Sequence, residues 1–348
     1  MNPQVTVFIP TFNCEKYITD CLESILHQTY KEIEILVVDD GSTDRTVEII
    51  ESYEDSRIVL IKNEINRGIP YTRNLGLENA RGKYMVIMDS DDISELDRIK
   101  VQVEFMEKNN HILATGTYYK TFGNRINRIF KNPTDDESIR INLMFGSPIS
   151  NPSSIVRLDK IKEHNIKYNL ECFVAQDYDF WVQLAKIGKL ANIPEILLNY
   201  RIGHGNITER TSSEKIFERK KITDTIREDA LNHLGFNLSR NEMESFNSFF
   251  GDNIQNTLNP EEINSKWFDE MKNLLDKLFE INKAKGIFTS NKFENIVEKF
   301  VYTRIAMIQT GLFNKIKISR KIFARIKIKE ALFFYSYFAL RNIYQKIK

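Results

Sequence analysis

Residues 84–88, Tyr-Met-Val-Ile-Met, run straight into Asp89-Ser90-Asp91-Asp92. A short apolar, β-branched run is the pattern of a strand buried on both faces, so carboxylates are expected at the carboxyl tip of a strand. Mg²⁺ and Mn²⁺ prefer oxygen donors and are commonly held by one or two carboxylates plus the phosphates of a nucleotide. Asp89 and Asp91 therefore read as half of a divalent-cation site. The competing reading is an Asp-rich turn that caps a helix beginning near Ser94. Asp39-Asp40-Gly41-Ser42 repeats the arrangement after the apolar run 33–38. Acids there suit the imide N–H of a base or ribose hydroxyls, Gly41 allows close backbone approach, and Ser42 reads as the N-cap of the next helix.

Elements with the right periodicity surround these acids. Apolar runs at 5–9, 33–38, 57–61 and 84–88 alternate with helical patterns at 14–28 and 43–53, and Pro70 sits well in the first turn of another helix. Strand alternating with helix predicts an α/β, Rossmann-like fold, a mostly parallel sheet sandwiched by helices, with ligands beyond the carboxyl ends of the strands. A helix over 94–109, a looser sheet-completing stretch over 116–152, a helix over 177–186 and an extended segment at 193–200 follow. Beyond 213 the chain reads as helical: Ser239-Arg-Asn-Glu242 has capping-box spacing, Asn259-Pro260 opens a further helix and Ser290 precedes another. Two domains are expected, an α/β domain over 1–212 and a helical C-terminal domain over 213–348.

The motifs in order are Val5-Thr-Val-Phe-Ile-Pro10-Thr11-Phe-Asn13, Val38-Asp39-Asp40-Gly41-Ser42, Asn66-Arg67-Gly68 with Thr72-Arg73-Asn74-Leu-Gly76, and Asp89-Ser-Asp91-Asp92. Gln176-Asp177-Tyr-Asp179-Phe-Trp181 and Tyr200-Arg201 with His204 continue the series. The whole resembles a family 2 glycosyltransferase of the GT-A fold over about residues 4–210. That resemblance implies that Pro10, Thr11, Asp39 and Asp40 line the base and ribose of a nucleotide and that Arg73 faces it. It also implies that Asp89 contacts ribose or a metal-bound water, that Asp91 ligates Mn²⁺ or Mg²⁺, that UDP is the leaving group, and that Asp177 is the general base. His204, between two glycines, is a candidate for touching the metal or the diphosphate, against the plainer reading of a loop residue.

Inverting transfer requires an acceptor hydroxyl to lose its proton as it attacks the anomeric carbon opposite the diphosphate, and a positioned carboxylate does this. The family often has Glu where this chain has Gln176, which removes a like charge beside Asp177. Asp179 competes for the role of base, but on a helix it points about 200° away from Asp177, so only one of the two can face the crevice.

At 348 residues, 42% hydrophobic and 28% charged, the composition excludes collagen-like, disordered and disulfide-scaffold classes. Cys14, Cys21 and Cys172 lack Cys-x-x-Cys spacing, and the N-terminus lacks the basic head and apolar stretch of a secretory signal, so a cytoplasmic location is expected. Residues 301–348 hold eleven Lys and Arg against one acid, Glu330, a charge of +10 that leaves the rest of the chain at −9. Their apolar run, 331–340, is shorter than the roughly 20 residues of a membrane span. The expectation is a helix lying on an anionic membrane at the cytoplasmic face, weighed against a core or homodimer contact. On anionic vesicles the intact chain should float and a version ending near residue 300 should not; equal flotation removes the idea. No motif for nucleic acid is present, and none is expected as a partner.

The expected activity is therefore inverting, metal-dependent transfer from a UDP-sugar to a hydroxyl of a glycan or lipid-linked oligosaccharide acceptor in surface polysaccharide synthesis. The alternative is a catalytically degenerate nucleotide-sugar-binding or scaffolding subunit, against which Asp91 and Asp177 both argue.

Overall fold

The fold comes from a computed structural model that describes residues 3–123, 127–203, 216–251 and 265–315. The chain divides into two compact units, Met1–Ala230 and Leu231–Lys348.

The first unit is built on one twisted sheet. Strands β1 (Val5–Thr11), β2 (Ile33–Asp39), β3 (Ile58–Lys62) and β4 (Tyr84–Ile87) pair in parallel in the order β3-β2-β1-β4. Helices α1 (Ile18–Leu26), α2 (Thr46–Glu51) and α3 (Ile69–Asn79) connect them. Every residue of β2 and β4 is buried, as their largely apolar sequences suit in strands covered on both faces, with Glu34 and Asp39 the buried acids of β2. The register sets Thr11 beside Asp39 and Phe8 beside Ile87, so the acids that follow β2 and β4 emerge at the same sheet edge.

The second half of the sheet is mixed. After the two-residue β5 (Ile93–Ser94) and α4 (Arg98–Lys108) come the long β6 (Ile112–Phe122), the short β7 (Ile129–Phe130), α5 (Asp136–Leu143) and β8 (Ile155–Arg157). The unit continues through α6 (Leu158–Glu163), α7 (Gln176–Ile187) and β9 (Lys189–Arg201). β8 is antiparallel to β4 and β6, whereas β6 and β9 run parallel along most of their length. This arrangement returns the end of β9 to the tip of β4, through the pairing of β5 with β9.

Gly76 explains how α3 lies so close to the sheet. A Cβ there would stand 2.4 Å from the ring of Phe8, which is fully buried, so only glycine permits this approach. Arg73, one turn earlier on the same face, is carried over the strand tips.

α8 (Ile216–His233) crosses the division between the units, well beyond the 212/213 boundary read from the sequence. The reason is apolar: Ile226 and Ala230 are buried in the α/β core with Ile222 packed against it. In the second unit α9 (Arg240–Phe250), α10 (Ser265–Lys285) and α11 (Ser290–Lys315) pack around Phe246, Phe250, Phe279 and Phe293. The capping box forms as expected, with Glu242 accepting from the Ser239 backbone N–H at 2.7 Å and Ser239 accepting from that of Glu242. Asn259-Pro260 and most of the basic segment, 316–348, lie outside the described residues. Among the described residues no helix is long and apolar enough to cross a membrane.

Candidate active site

The Asp-rich segment after β4 is not a helix cap. α4 starts at Arg98 with Asp97 as its N-cap residue, and no side chain caps it; Asp97 instead accepts from Thr29 at 2.7 Å. Asp89 and Asp91 are half-buried at the strand tip, while Asp92 is fully buried, one carboxylate oxygen receiving the backbone N–H of Arg201 at 2.8 Å. Desolvation pushes the Asp89 carboxyl up to about 6, opposed by the nearby Arg73 and reinforced by Asp91 and Asp177. Asp92 is raised well above the usual carboxylate range, again by burial first. Arg98, wholly buried beneath, donates to the Ile87 carbonyl at 2.8 Å and its guanidinium is lowered to about 10 by desolvation.

Arg73 is 5% exposed, and its Nη2 lies 3.6 Å from Asp89 Oδ1. Its Nε and Nη1 have no hydrogen-bond partner among the described residues, and neither does the buried hydroxyl of Thr11. Buried donors left open in this way are unusual in a folded protein and point to a polar group that completes the site. The Arg73 guanidinium also stands 5.4 Å from the ring centroid of Tyr168, whose buried hydroxyl is likewise unpaired.

The acids after β2 carry more of the local architecture than the sequence suggested. Asp40 accepts from Asn63 Nδ2 at 2.8 Å and from the backbone N–H groups of Arg67 and Gly68 at 3.0 and 2.8 Å, fixing the loop ahead of α3. Asp39 is gripped by Ser42, whose hydroxyl donates at 2.5 Å and whose N–H donates at 2.9 Å. Ser42 is therefore not the N-cap of α2; Asp44 receives the Thr46 N–H and hydroxyl there. Gly41 has φ +76, and a Cβ would come within 2.7 Å of the Ile65 carbonyl carbon, so its close approach serves the chain's own loop. Pro10 and Thr11 end β1 beside these acids, opposite Val38 and Asp39.

Asp177 is the second residue of α7. Ahead of it Ala175 holds φ 53, a left-handed conformation that costs a residue with a Cβ about 1–2 kcal/mol and that tends to persist at functional sites. The charge of Asp177 adds to the upward shifts of Asp89 and Tyr168, both of which come first from burial. Asp179 has other company: it accepts from Gln183 at 2.7 Å, and desolvation raises its carboxyl, with Asp229 adding to the shift and Lys186 opposing it. The structure thus gathers Thr11, Arg73, Asp89 and Asp91 at one end of the sheet, with Asp177 in the first turn of α7. His204 lies outside the described residues.

Tyr168 and Arg201 complete this end of the sheet, and sequence reasoning gave neither a role. Tyr168 had no local signal, because its backbone is fixed by Asn74 through two bonds of 2.8 Å spanning the sheet's connections. Arg201 was visible as a neighbour of Tyr200, but its partners come from α1 and the Asp-rich turn.

The profile described as Glycosyl transferase family 2 matches residues 6–175. An uncharacterised glycosyltransferase of Haemophilus influenzae is 37% identical over 244 residues, 64% of this chain and 74% of that protein. The chain belongs to the family 2 glycosyltransferases. An Escherichia coli relative of this family 2 chain, named UDP-Glc:alpha-D-GlcNAc-diphosphoundecaprenol beta-1,3-glucosyltransferase WfaP, is 32% identical over 216 residues, 61% of this chain and 82% of that protein. In fold, the family 2 chain resembles S. aureus TarS 1–349, solved in complex with UDP-GlcNAc, with a TM-score of 0.59 at 20% identity over 88% of this chain and 90% of the other.

Proposed function

We propose that this glycosyltransferase moves a sugar from a UDP-sugar to a hydroxyl of a glycan or lipid-linked oligosaccharide, with inversion at the anomeric carbon and with a divalent cation. One observation carries the reading: the half-buried acids after β4 stand beside a buried guanidinium, two of whose nitrogens have no hydrogen-bond partner among the described residues. The donor and acceptor classes rest on likeness to relatives whose own names specify a UDP-sugar and a diphosphoundecaprenol acceptor.

The donor set fits a hard cation, since Asp89 and Asp91 offer carboxylate oxygens at the sheet edge. Among the described residues no cluster of three or more His, Cys, Asp or Glu could hold a metal by itself, so any cation here would need further oxygens from its ligand. Asp91, with Asp89, would hold Mn²⁺ or Mg²⁺, which when bound supplies positive charge against the leaving diphosphate. Arg73 directs its open donors to the same charge, and being already desolvated and fixed it needs little reorganisation. Thr11 offers its hydroxyl to the nucleotide, and Asp39 and Asp40, held by Ser42 and the 66–68 loop, retain acceptor capacity for base or ribose. Asp177 takes the proton from the attacking hydroxyl at its carboxylate oxygen.

Thermal denaturation with UDP, GDP or CDP, each with Mn²⁺ or with chelator, tests this. A ligand at 100 times its dissociation constant stabilises by about 2.7 kcal/mol. The expected result is a UDP-selective, Mn²⁺-dependent rise that Asp91→Ala abolishes; no rise with any nucleotide overturns the proposal.

A further inference from the structure

The Asp-rich turn presents acids to the crevice only if its backbone is held the other way, and three consecutive carbonyls of that turn each accept from a side chain of a different part of the fold. The Cys21 thiol, on α1, donates to the Asp89 carbonyl at 3.6 Å, and the Cys14 thiol, just before α1, donates to the Ser90 carbonyl at 3.3 Å. Arg201, at the end of β9, donates through Nε to the Asp91 carbonyl at 2.7 Å, and its backbone N–H reaches Asp92 Oδ1 at 2.8 Å. Inside the turn the Asp92 N–H closes on the Asp89 carbonyl at 3.2 Å.

The guanidinium of Arg201 is itself fixed. It lies 4.6 Å from the ring centroid of Tyr17 and 4.5 Å from that of Phe122, and Nη2 meets Asp20 at 2.9 Å. A planar group stacked between two rings with its edge hydrogen-bonded has little freedom to turn. Both thiols are buried, and a buried thiol in apolar surroundings is a weak donor that stays protonated.

We propose that Cys14, Cys21 and Arg201 form a backbone clamp of positioning residues that orients Asp89 and Asp91 for the nucleotide diphosphate and its cation. The clamp rests on the reading of the site given above. It touches neither nucleotide nor acceptor; it sets where the carboxylates stand, so its loss should weaken nucleotide and cation binding while the rest of the fold survives. The coupling also links the turn to β9 and, through Asp20, to α1, so the two sides of the crevice share one fixed point.

Serine and alanine differ little in size but only serine can donate, which separates a hydrogen bond from mere space filling. The experiment measures amide hydrogen exchange over residues 88–95 in the nucleotide-free protein, and the affinity for UDP in the presence of Mn²⁺. In Cys14→Ala with Cys21→Ala, and in Arg201→Lys, exchange in that segment should speed by at least tenfold and UDP affinity should fall about tenfold. The double serine variant should stay close to wild type, and exchange in the β1 and β2 segments should not change in any variant. Alanine and serine variants that behave alike, or exchange that rises evenly along the chain, overturn the clamp. A wild-type protein that binds no UDP overturns the reading of the site, and the exchange data still decide whether the turn is clamped.

Discussion

Asp177→Asn is expected to lower turnover by about 10²–10⁴-fold, the usual worth of a positioned general base, while the UDP- and Mn²⁺-dependent rise in melting temperature should persist. The separation follows from the geometry. Asp177 stands on α7 and acts on Asp89 and Tyr168 through its charge, whereas most of the residues proposed to meet the nucleotide lie on β1, β2 and α3 or just beyond them. Amide replaces carboxylate with the same shape, so the neighbouring half-buried acids lose a like charge and the fold should be unharmed. Asp179→Asn is the control that gives the result meaning. Its carboxylate is hydrogen-bonded to Gln183 and lies in the field of Asp229 and Lys186, so turnover should stay within about twofold of wild type. Steady-state turnover of the two variants checks the assignment; a normal Asp177→Asn beside a dead Asp179→Asn reverses it.

What the sequence made legible, and what it hid, follows the range of the interactions. The runs at 5–9, 33–38 and 84–88 became β1, β2 and β4 because strands buried on both faces must be largely apolar, a local requirement, while the run at 57–61 became the half-buried edge strand β3. The position of Asp89 and Asp91 at a strand tip followed from the same fact. Ser42 shows the limit: by residue type its hydroxyl suits either a cap or an anchor for Asp39, and the fold makes it the anchor. Nothing local could have revealed that Asp40 would be occupied by Asn63, Arg67 and Gly68, or that Tyr168 would lie against Arg73. The compact units divide at 230/231 rather than at 212/213 for a related reason. A helix that continues past the sheet is assigned to a unit by the surface it buries, and Ile226 and Ala230 bury theirs in the α/β core.

Arg73→Met offers the second large effect, with function and stability moving apart. The guanidinium is buried, with Nε and Nη1 unpaired among the described residues, and each unsatisfied buried donor costs about 1–3 kcal/mol. Methionine fills similar space without that cost. Removing one member of a buried ion pair is ordinarily destabilising because it strands the other, but Asp89 retains 30% exposure of its side chain and a carboxyl already pushed up to about 6, so it can be hydrated or take a proton. The nucleotide-free variant should therefore melt at or above the wild-type temperature. Catalysis should go the other way: a fixed, desolvated donor aimed at developing negative charge is typically worth about 10²–10³-fold, so kcat/KM should fall by that factor. Paired measurements of melting temperature without nucleotide and kcat/KM with donor test both halves. A variant that melts several degrees lower yet turns over normally would make Arg73 a structural residue, and the open nitrogens would then need another explanation. The expected outcome instead identifies a residue kept at the expense of the folded state, because the ligand that completes its hydrogen bonds is present only during turnover.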